Sequence, residues 1–353
     1  MSIKIHTFHN TINYGALLQS LTLKTFIANS TDLRVSYDTY QPKKLIFAEV
    51  YRPLITKNFF KFQNTLKKNF RIYKWKIKAN KEIESIPYKK NFSSNELSIY
   101  GSDEIWNFKN AYHGYDPIFF GSTNKNTKIS YAASIGIAKY EDLTNDQKIE
   151  IKENLKEFES ISVRDSNSSD FVKKILDIEP QIVVDPTLLC TPKILENLSL
   201  VNVAEKEKYA LIYGTVFSDK QKKQIYDFCE KKNLKLISVG YLNKWVKTNY
   251  LGLDPTNFYQ LIKNADFVFT SMFHGIMFSV KLKKQFYFNV DPIRENKIKH
   301  FIKFLNLNSR ELVEILDEKS SINYHVVYKI LDKWVLESQN YLLDSINRHF
   351  DKI

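Results

Sequence analysis

A chain of 353 residues that is 43% hydrophobic and 14% aromatic can bury a sizeable core, which excludes a disordered protein. Two cysteines, Cys190 and Cys229, cannot build a disulfide framework, and no apolar run reaches the roughly 18 residues that a membrane-spanning helix needs. Lys plus Arg number 52 against 39 Asp plus Glu, and the resulting +13 asks for an anionic partner: nucleic acid, a small anion or a membrane surface.

The first residues, MSIKIHTFHNTINYG, lack the apolar core of a signal peptide, so the expected compartment is the cytoplasm. Lys4–His9 then reads as a strand, Tyr14–Ala28 as a helix and Leu33–Tyr40 as a strand. Residues 51–100 hold 12 Lys plus Arg and three acids, a net of +9 that is most of the chain's excess. Within them Phe59, Phe62, Leu66, Phe70, Tyr73 and Ile77 recur every three or four residues. The stretch from about 57 to 90 therefore reads as one amphipathic helix with lysines on its outer faces. Two readings stand: the helix packs on the N-terminal domain with a solvated basic side, or it touches an anionic membrane peripherally.

Leu97–Gly101, Lys128–Ser134, Ser160–Arg164 and Gln181–Val184 follow as strands. Helices fill about Asp146–Phe158 and Ser168–Leu176, the second with cap chemistry in the run Ser166–Ser169. In the second half, strands are expected at Tyr209–Thr215, Leu234–Gly240, Phe267–Ser271 and Gln285–Val290. They alternate with helices at Asp219–Lys232, Pro255–Asn264, His274–Lys283 and Asn296–Leu305, and Tyr324–Phe350 is one long helix or two. Such alternation implies an α/β fold of parallel sheets covered by helices. The expected organisation is a Rossmann-like domain over 1–190, with the basic helical insertion at about 51–95, a second over 205–322, and a C-terminal helix over 323–353 packing back.

Ligands of open parallel sheets bind beyond the carboxyl ends of the strands. Four such places carry polar residues. His9–Gly15 joins the first strand to the first helix; Asn13 reads equally as a ligand contact and as a helix cap. In Gly101–Asn107, Asp103 suits a base or a hydroxyl ligand and Trp106 an apolar platform for a sugar ring, against an Asp cap and a core Trp. Arg164 ends a buried-looking strand, where its fork suits phosphate or carboxylate; Asp165 points to the opposite face and is a poor partner for it. Ser271 and His274 open an apolar helix, and a histidine there can exchange a proton with a reacting group or hold a phosphate, unless it is an ordinary cap. Gly275 beside it suggests a close backbone approach. Metal, Walker-type and nucleophile-elbow motifs are absent from the sequence.

Taken together, the chain resembles the polysaccharide pyruvyl transferase family. The resemblance is carried by Asn13-Tyr14-Gly15-Ala16 with Leu18-Gln19, Gly101-Ser102-Asp103 with Ile105-Trp106-Asn107, and Tyr131–Gly136. It continues through Ser162-Val163-Arg164-Asp165, Val184–Leu189, Ala265-Asp266, Ser271, Phe273-His274-Gly275 and Phe278-Ser279, in order over about 3–310. It implies two Rossmann-like domains of GT-B-like architecture facing a cleft, and a transferase with no bound cofactor. Phosphoenolpyruvate would be the co-substrate, and the acceptor a sugar of a surface polysaccharide or its lipid-linked precursor. The product would be a pyruvate ketal, with phosphate released. His274 is then the acid–base candidate, Arg164 the anion clamp and Asp103 the group that orients or deprotonates an acceptor hydroxyl. Asn13, Tyr14, Gly15, Ser102, Trp106, Asn107, Ser271 and Gly275 would contact substrate. Glu104 stands where the family usually has Gln, Met272 where some members have Arg, and Asn296-Lys297 where it often has Ser-Arg. Arg294 or Lys297 would supply the missing cation.

Two other classes compete. A GT-B glycosyltransferase would use a sugar nucleotide and bind it on the C-terminal domain. Nucleic-acid binding rests on charge alone, with no recognisable module, and is not expected. Oligomeric state is not legible in the sequence.

Overall fold

The computed structural model describes residues 1–47, 51, 55, 59–88, 96–197, 207–291, 295–312 and 321–351. The chain divides into two compact units: Met1–Arg52, Ala79–Thr191 and Leu331–Ile353 form unit 1, and Pro53–Lys78 with Pro192–Ile330 form unit 2.

Unit 1 begins β1 (Ser2–His6), α1 (Tyr14–Ser30), β2 (Arg34–Tyr37) and the short α2 (Lys43–Ile46). The basic segment is one helix, α3 (Phe59–Glu84), of which Phe59–Lys78 belongs to unit 2 and the rest to unit 1. Then come β3 (Glu96–Tyr100), β4 (Thr127–Ser130), α4 (Asn145–Lys156), β5 (Phe158–Ser160), β6 (Ser162–Val163), α5 (Ser166–Leu176) and β7 (Gln181–Ile182). Five of these strands make a parallel sheet in the order β2-β1-β3-β4-β5. Beyond the strand ends, parallel bridges from Asp103 to Ala133 and from Ala133 to Val163 link these segments to the two-stranded β6-β7 sheet.

Unit 2 contains β8 (Tyr209–Tyr213), α6 (Asp219–Lys231), β9 (Lys235–Val239), β10 (Thr248–Tyr250), α7 (Pro255–Asn264), β11 (Phe267–Thr270), α8 (Phe273–Lys281), β12 (Gln285–Phe288) and α9 (Glu295–Phe304). Its sheet is parallel, in the order β10-β9-β8-β11-β12. The central strands are buried along their length, as in the five-residue β8, which explains their unbroken apolar runs. A single helix, α10 (Tyr324–Phe350), closes the chain. In unit 1 it is fastened by Trp334 Nε1 to the Ile182 carbonyl (3.0 Å), by the Val184 amide to Ser338 Oγ (3.0 Å) and by the Tyr341 hydroxyl to the Ser130 carbonyl (3.1 Å).

The expected elements are present with shifted ends. The strand expected over Ser160–Arg164 is broken at Ile161 into β5 and β6, and that expected over Lys128–Ser134 stops at Ser130, before Ala132 turns to φ 54°. α5 is capped by Asp165, which accepts from the Ser168 amide, so the helix starts inside the serine run that was expected to precede it. β10 has no counterpart among the expectations: three polar or aromatic residues carry no alternation to read.

Candidate active site

Both sheets place their topological switch point, where the strand order reverses direction, between two specific strands. In unit 1 it lies between β1 and β3, and in unit 2 between β8 and β11. A crevice opens at the carboxyl ends of such strand pairs, and it is where α/β sheets bind ligands. The candidate residues cluster at these two points.

In unit 1, β1 runs into Thr7–Asn13 and β3 into Gly101–Asp103. The Thr7 hydroxyl donates to the Ser102 carbonyl (2.9 Å) and accepts from Gln19 (3.1 Å), tying the two strand ends together. Asp103 follows in a left-handed backbone conformation (φ 76°), with its Oδ1 accepting from the Glu104 amide (2.8 Å) and its carboxylate partly exposed. His9 stacks on Tyr37 (4.4 Å between centroids), and its Nδ1 lies 3.2 Å from Gln41 Nε2. His113 is half-buried near Asp103 and Glu104; burial lowers its pKa against the pull of those acids and Asp116.

Arg164 is enclosed. Its Nη1 lies 2.9 Å from Asp185 and its Nη2 lies 3.8 Å from Asp103, with the side chain 2% exposed. Burial acts to lower the guanidinium pKa, but Asp185, Asp103 and Asp165 together raise it above its ordinary value. The expected anion clamp is thus an internal tie that holds two protein carboxylates, and its fork does not face solvent. Its partner is Asp185, 21 residues along and beyond β7, the strand next to β6.

Several other candidates are also interior residues. Trp106 has no exposed surface; its indole stacks on Phe120 (5.7 Å) and donates to the Phe119 carbonyl (2.9 Å). It is a core residue and not a platform for a sugar. Trp106→Phe should therefore lower unfolding free energy by about 1–3 kcal/mol, from lost volume and a lost hydrogen bond. Acceptor KM should not move; denaturant titration and initial rates check both. Tyr14, Gly15, Ser102 and Asn107 are buried as well, and Asn107 donates to Glu104 (2.8 Å). Asn13 is exposed and caps α1 by accepting from the Gly15 amide (3.0 Å).

In unit 2, Gly214 ends β8 against Ser271, the residue after β11. A Cβ on Gly214 would lie 2.2 Å from Ser271 Oγ, which itself accepts from the Val216 amide (3.2 Å). α8 begins two residues later. Gly275 lets this helix sit on β11, because its Cβ would meet Thr270 Oγ1 at 2.1 Å. The close approach is thus to the protein's own strand. Thr270 Oγ1 also donates to the Tyr213 carbonyl (2.6 Å) and accepts from the Met272 amide (3.0 Å), fixing the start of α8. His274 is the second residue of α8 and is partly exposed, while Ser271 and Gly275 are buried. The Lys297 ammonium, largely buried, lies 5.3 Å from the ring of Phe273, the neighbour of His274. Arg294, the other expected cation, lies outside the described residues. Among the described residues, Asn13, Asp103 and His274 are the polar candidates that are not buried, and Asp103 and His274 each stand at the switch point of their own unit. His9 and His113, both partly exposed in unit 1, join them, while Gly214 is buried against Ser271. Gly214 falls inside the strand expected over Tyr209–Thr215 and drew no attention there; the scarcity of glycine, nine in the chain, is the signal that could have marked it.

The model for polysaccharide pyruvyl transferase matches residues 13–288. The chain belongs to the polysaccharide pyruvyl transferase family. Membership makes this family member a transferase. No curated protein matches the sequence. Among solved structures, the pyruvyl transferase chain is similar to an S. aureus MnaA–UDP co-structure, with 11% identity, a TM-score of 0.50, and 100% and 98% of the two chains covered. It is also similar to a UDP-GlcNAc 2-epimerase from Neisseria meningitidis bound to UDP-GlcNAc, with 9% identity, a TM-score of 0.50, and 98% and 99% covered. At such identity the likeness concerns the fold, which is GT-B-like α/β with parallel sheets and a C-terminal helix.

Proposed function

We propose that this transferase moves the enolpyruvyl group of phosphoenolpyruvate onto a sugar of a surface polysaccharide or its lipid-linked precursor. The product is a pyruvate ketal, and phosphate leaves. The observation that carries the reading is His274 at the switch point of unit 2, at the start of a helix held by Thr270 and beside a lysine-bearing helix. Amides at the start of α8 and the Lys297 ammonium favour an anion. This makes unit 2 the donor side. Asp103 at the switch point of unit 1 makes that unit the acceptor side, with the Arg164 guanidinium 3.8 Å from its carboxylate.

The chemistry moves two protons from sugar hydroxyls: one is balanced by protonation of the methylene carbon, and the other leaves with the phosphate as hydrogen phosphate. The methylene carbon of phosphoenolpyruvate takes a proton, leaving the phosphate-bearing carbon electrophilic. One sugar hydroxyl adds to that carbon and loses its proton. A second hydroxyl then displaces the phosphate, loses its proton and closes the ketal. His274 exchanges a proton with the donor and Asp103 takes one from an acceptor hydroxyl. The reaction draws on no bound cofactor.

Phosphate release from phosphoenolpyruvate, screened against a panel of glycans, tests the proposal. Release that requires both substrates, with a glycan product heavier by one pyruvate less water, is the expected result. Glycosyl transfer from a sugar nucleotide without any phosphoenolpyruvate requirement would replace this reading with the glycosyltransferase one.

A further inference from the structure

The basic helix has its apolar side chains on two faces. One is buried: Ile72, Trp75, Ala79 and Ile83 fall on one side, and Trp75 Nε1 donates to Thr256 at the start of α7 (2.8 Å). Nearly opposite runs a second line at helical spacing, Leu66, Phe70, Tyr73 and Ile77. These four are 43%, 57%, 64% and 41% exposed. The line is about 16 Å long at 1.5 Å per residue. Half-buried Phe62 stands one turn before it, and Glu84 closes it. Residues 59–81 include eight Lys or Arg and no acid. Lys67, Lys74, Lys78 and Lys81 are exposed along one flank, and Lys74 Nζ lies 4.4 Å from the Phe70 ring centroid. Arg71 on the same flank reaches the Gly252 carbonyl (2.5 Å).

We propose that this outward face of α3 docks on the surface of an anionic lipid bilayer. An exposed line of two aliphatic and two aromatic side chains in water is costly and calls for a partner. An excess of cations over acids beside that line, eight Lys or Arg over residues 59–81 against Glu82 and Glu84 at the helix end, matches a negatively charged interface, where each cation contributes as the rings enter the headgroup region. No helix among the described residues is long and apolar enough to cross a membrane, so the contact is peripheral. The packing expected on the N-terminal domain is found instead mostly within unit 2, through Trp75 and Thr256, and it leaves the opposite face of the helix exposed. This inference stands independently of the donor and the reaction.

Flotation of the full chain with vesicles tests it. Phosphatidylcholine vesicles containing phosphatidylglycerol should carry the protein upward, and vesicles of phosphatidylcholine alone should not. Binding should fall steeply as salt rises. The F70S/Y73S variant should lower the bound fraction about tenfold by removing most of the inserted apolar surface. Its unfolding midpoint should stay at the parent value, since neither ring is in the core. K74E/K78E should abolish flotation likewise. Absence of flotation, equal flotation on both vesicle types, or binding untouched by F70S/Y73S would each overturn the proposal. Concentration-dependent dimerisation that F70S/Y73S relieves would overturn it too, by assigning the face to a second copy of the chain.

Discussion

Purified His274→Ala is expected to release phosphate from phosphoenolpyruvate plus acceptor about 10²–10⁴-fold more slowly than the parent, an effect on kcat. His274 is a partly exposed residue at the second position of α8, so its truncation costs less than that of a core side chain. The unfolding midpoint should therefore stay near the parent value, which separates lost chemistry from lost structure. His274→Gln retains polar contacts but cannot exchange a proton at neutral pH, and should be equally slow. Wild-type phosphate release by a folded His274→Ala protein would remove the imidazole from the reaction and return it to the role of a residue at a helix start.

Arg164→Met is expected to destabilise unit 1 by about 3–5 kcal/mol, because it leaves the carboxylate of Asp185 buried with its charge no longer matched. Asp185 has further duties, accepting from the amide and hydroxyl of Thr187 at 3.0 and 2.7 Å, so its own orientation depends on the same tie. Trp106 and Trp334 both lie in unit 1 and report its unfolding by fluorescence. Arg164→Lys should recover part of the loss, as a point charge replaces a fork. Asp103 should also loosen once its neighbour at 3.8 Å is gone, lowering kcat in any protein that still folds. An unchanged midpoint together with a raised KM for phosphoenolpyruvate would reverse the assignment and restore Arg164 as a substrate clamp.

The fold was largely legible because strand–helix alternation leaves a period in the apolar residues that survives to the structure. Pro255–Asn264 has the ends its sequence predicts, and the basic helix, expected over about 57 to 90, runs Phe59–Glu84. The sheet orders were not legible, since nothing local fixes which strand lies beside which. The same gap hid the partner of Arg164: Asp165 is adjacent in sequence, but Asp185 reaches it only because β6 and β7 pair. Trp106 shows a different limit, because an aromatic after a strand suits a sugar and a core equally well until its neighbours Phe119 and Phe120 are in place. In α3 the apolar spacing found one real face of the helix. The face that packs contains Trp75, whose indole N–H has a hydroxyl to meet at Thr256.

α10 has a consequence for how the chain is made. Unit 1 is assembled from three separate stretches of sequence, the last of them Leu331–Ile353. Trp334, Ser338 and Tyr341 in that stretch fasten to Ile182, Val184 and Ser130, so the first unit to leave a ribosome lacks part of its wall until the last helix emerges. The sheet of unit 1 is complete in sequence at Ser160, but α10 follows the whole of unit 2's sheet, which ends at Phe288. Contacts of such long sequence separation are slow to form. Vectorial synthesis thus favours a waiting first unit, closed by a late helix.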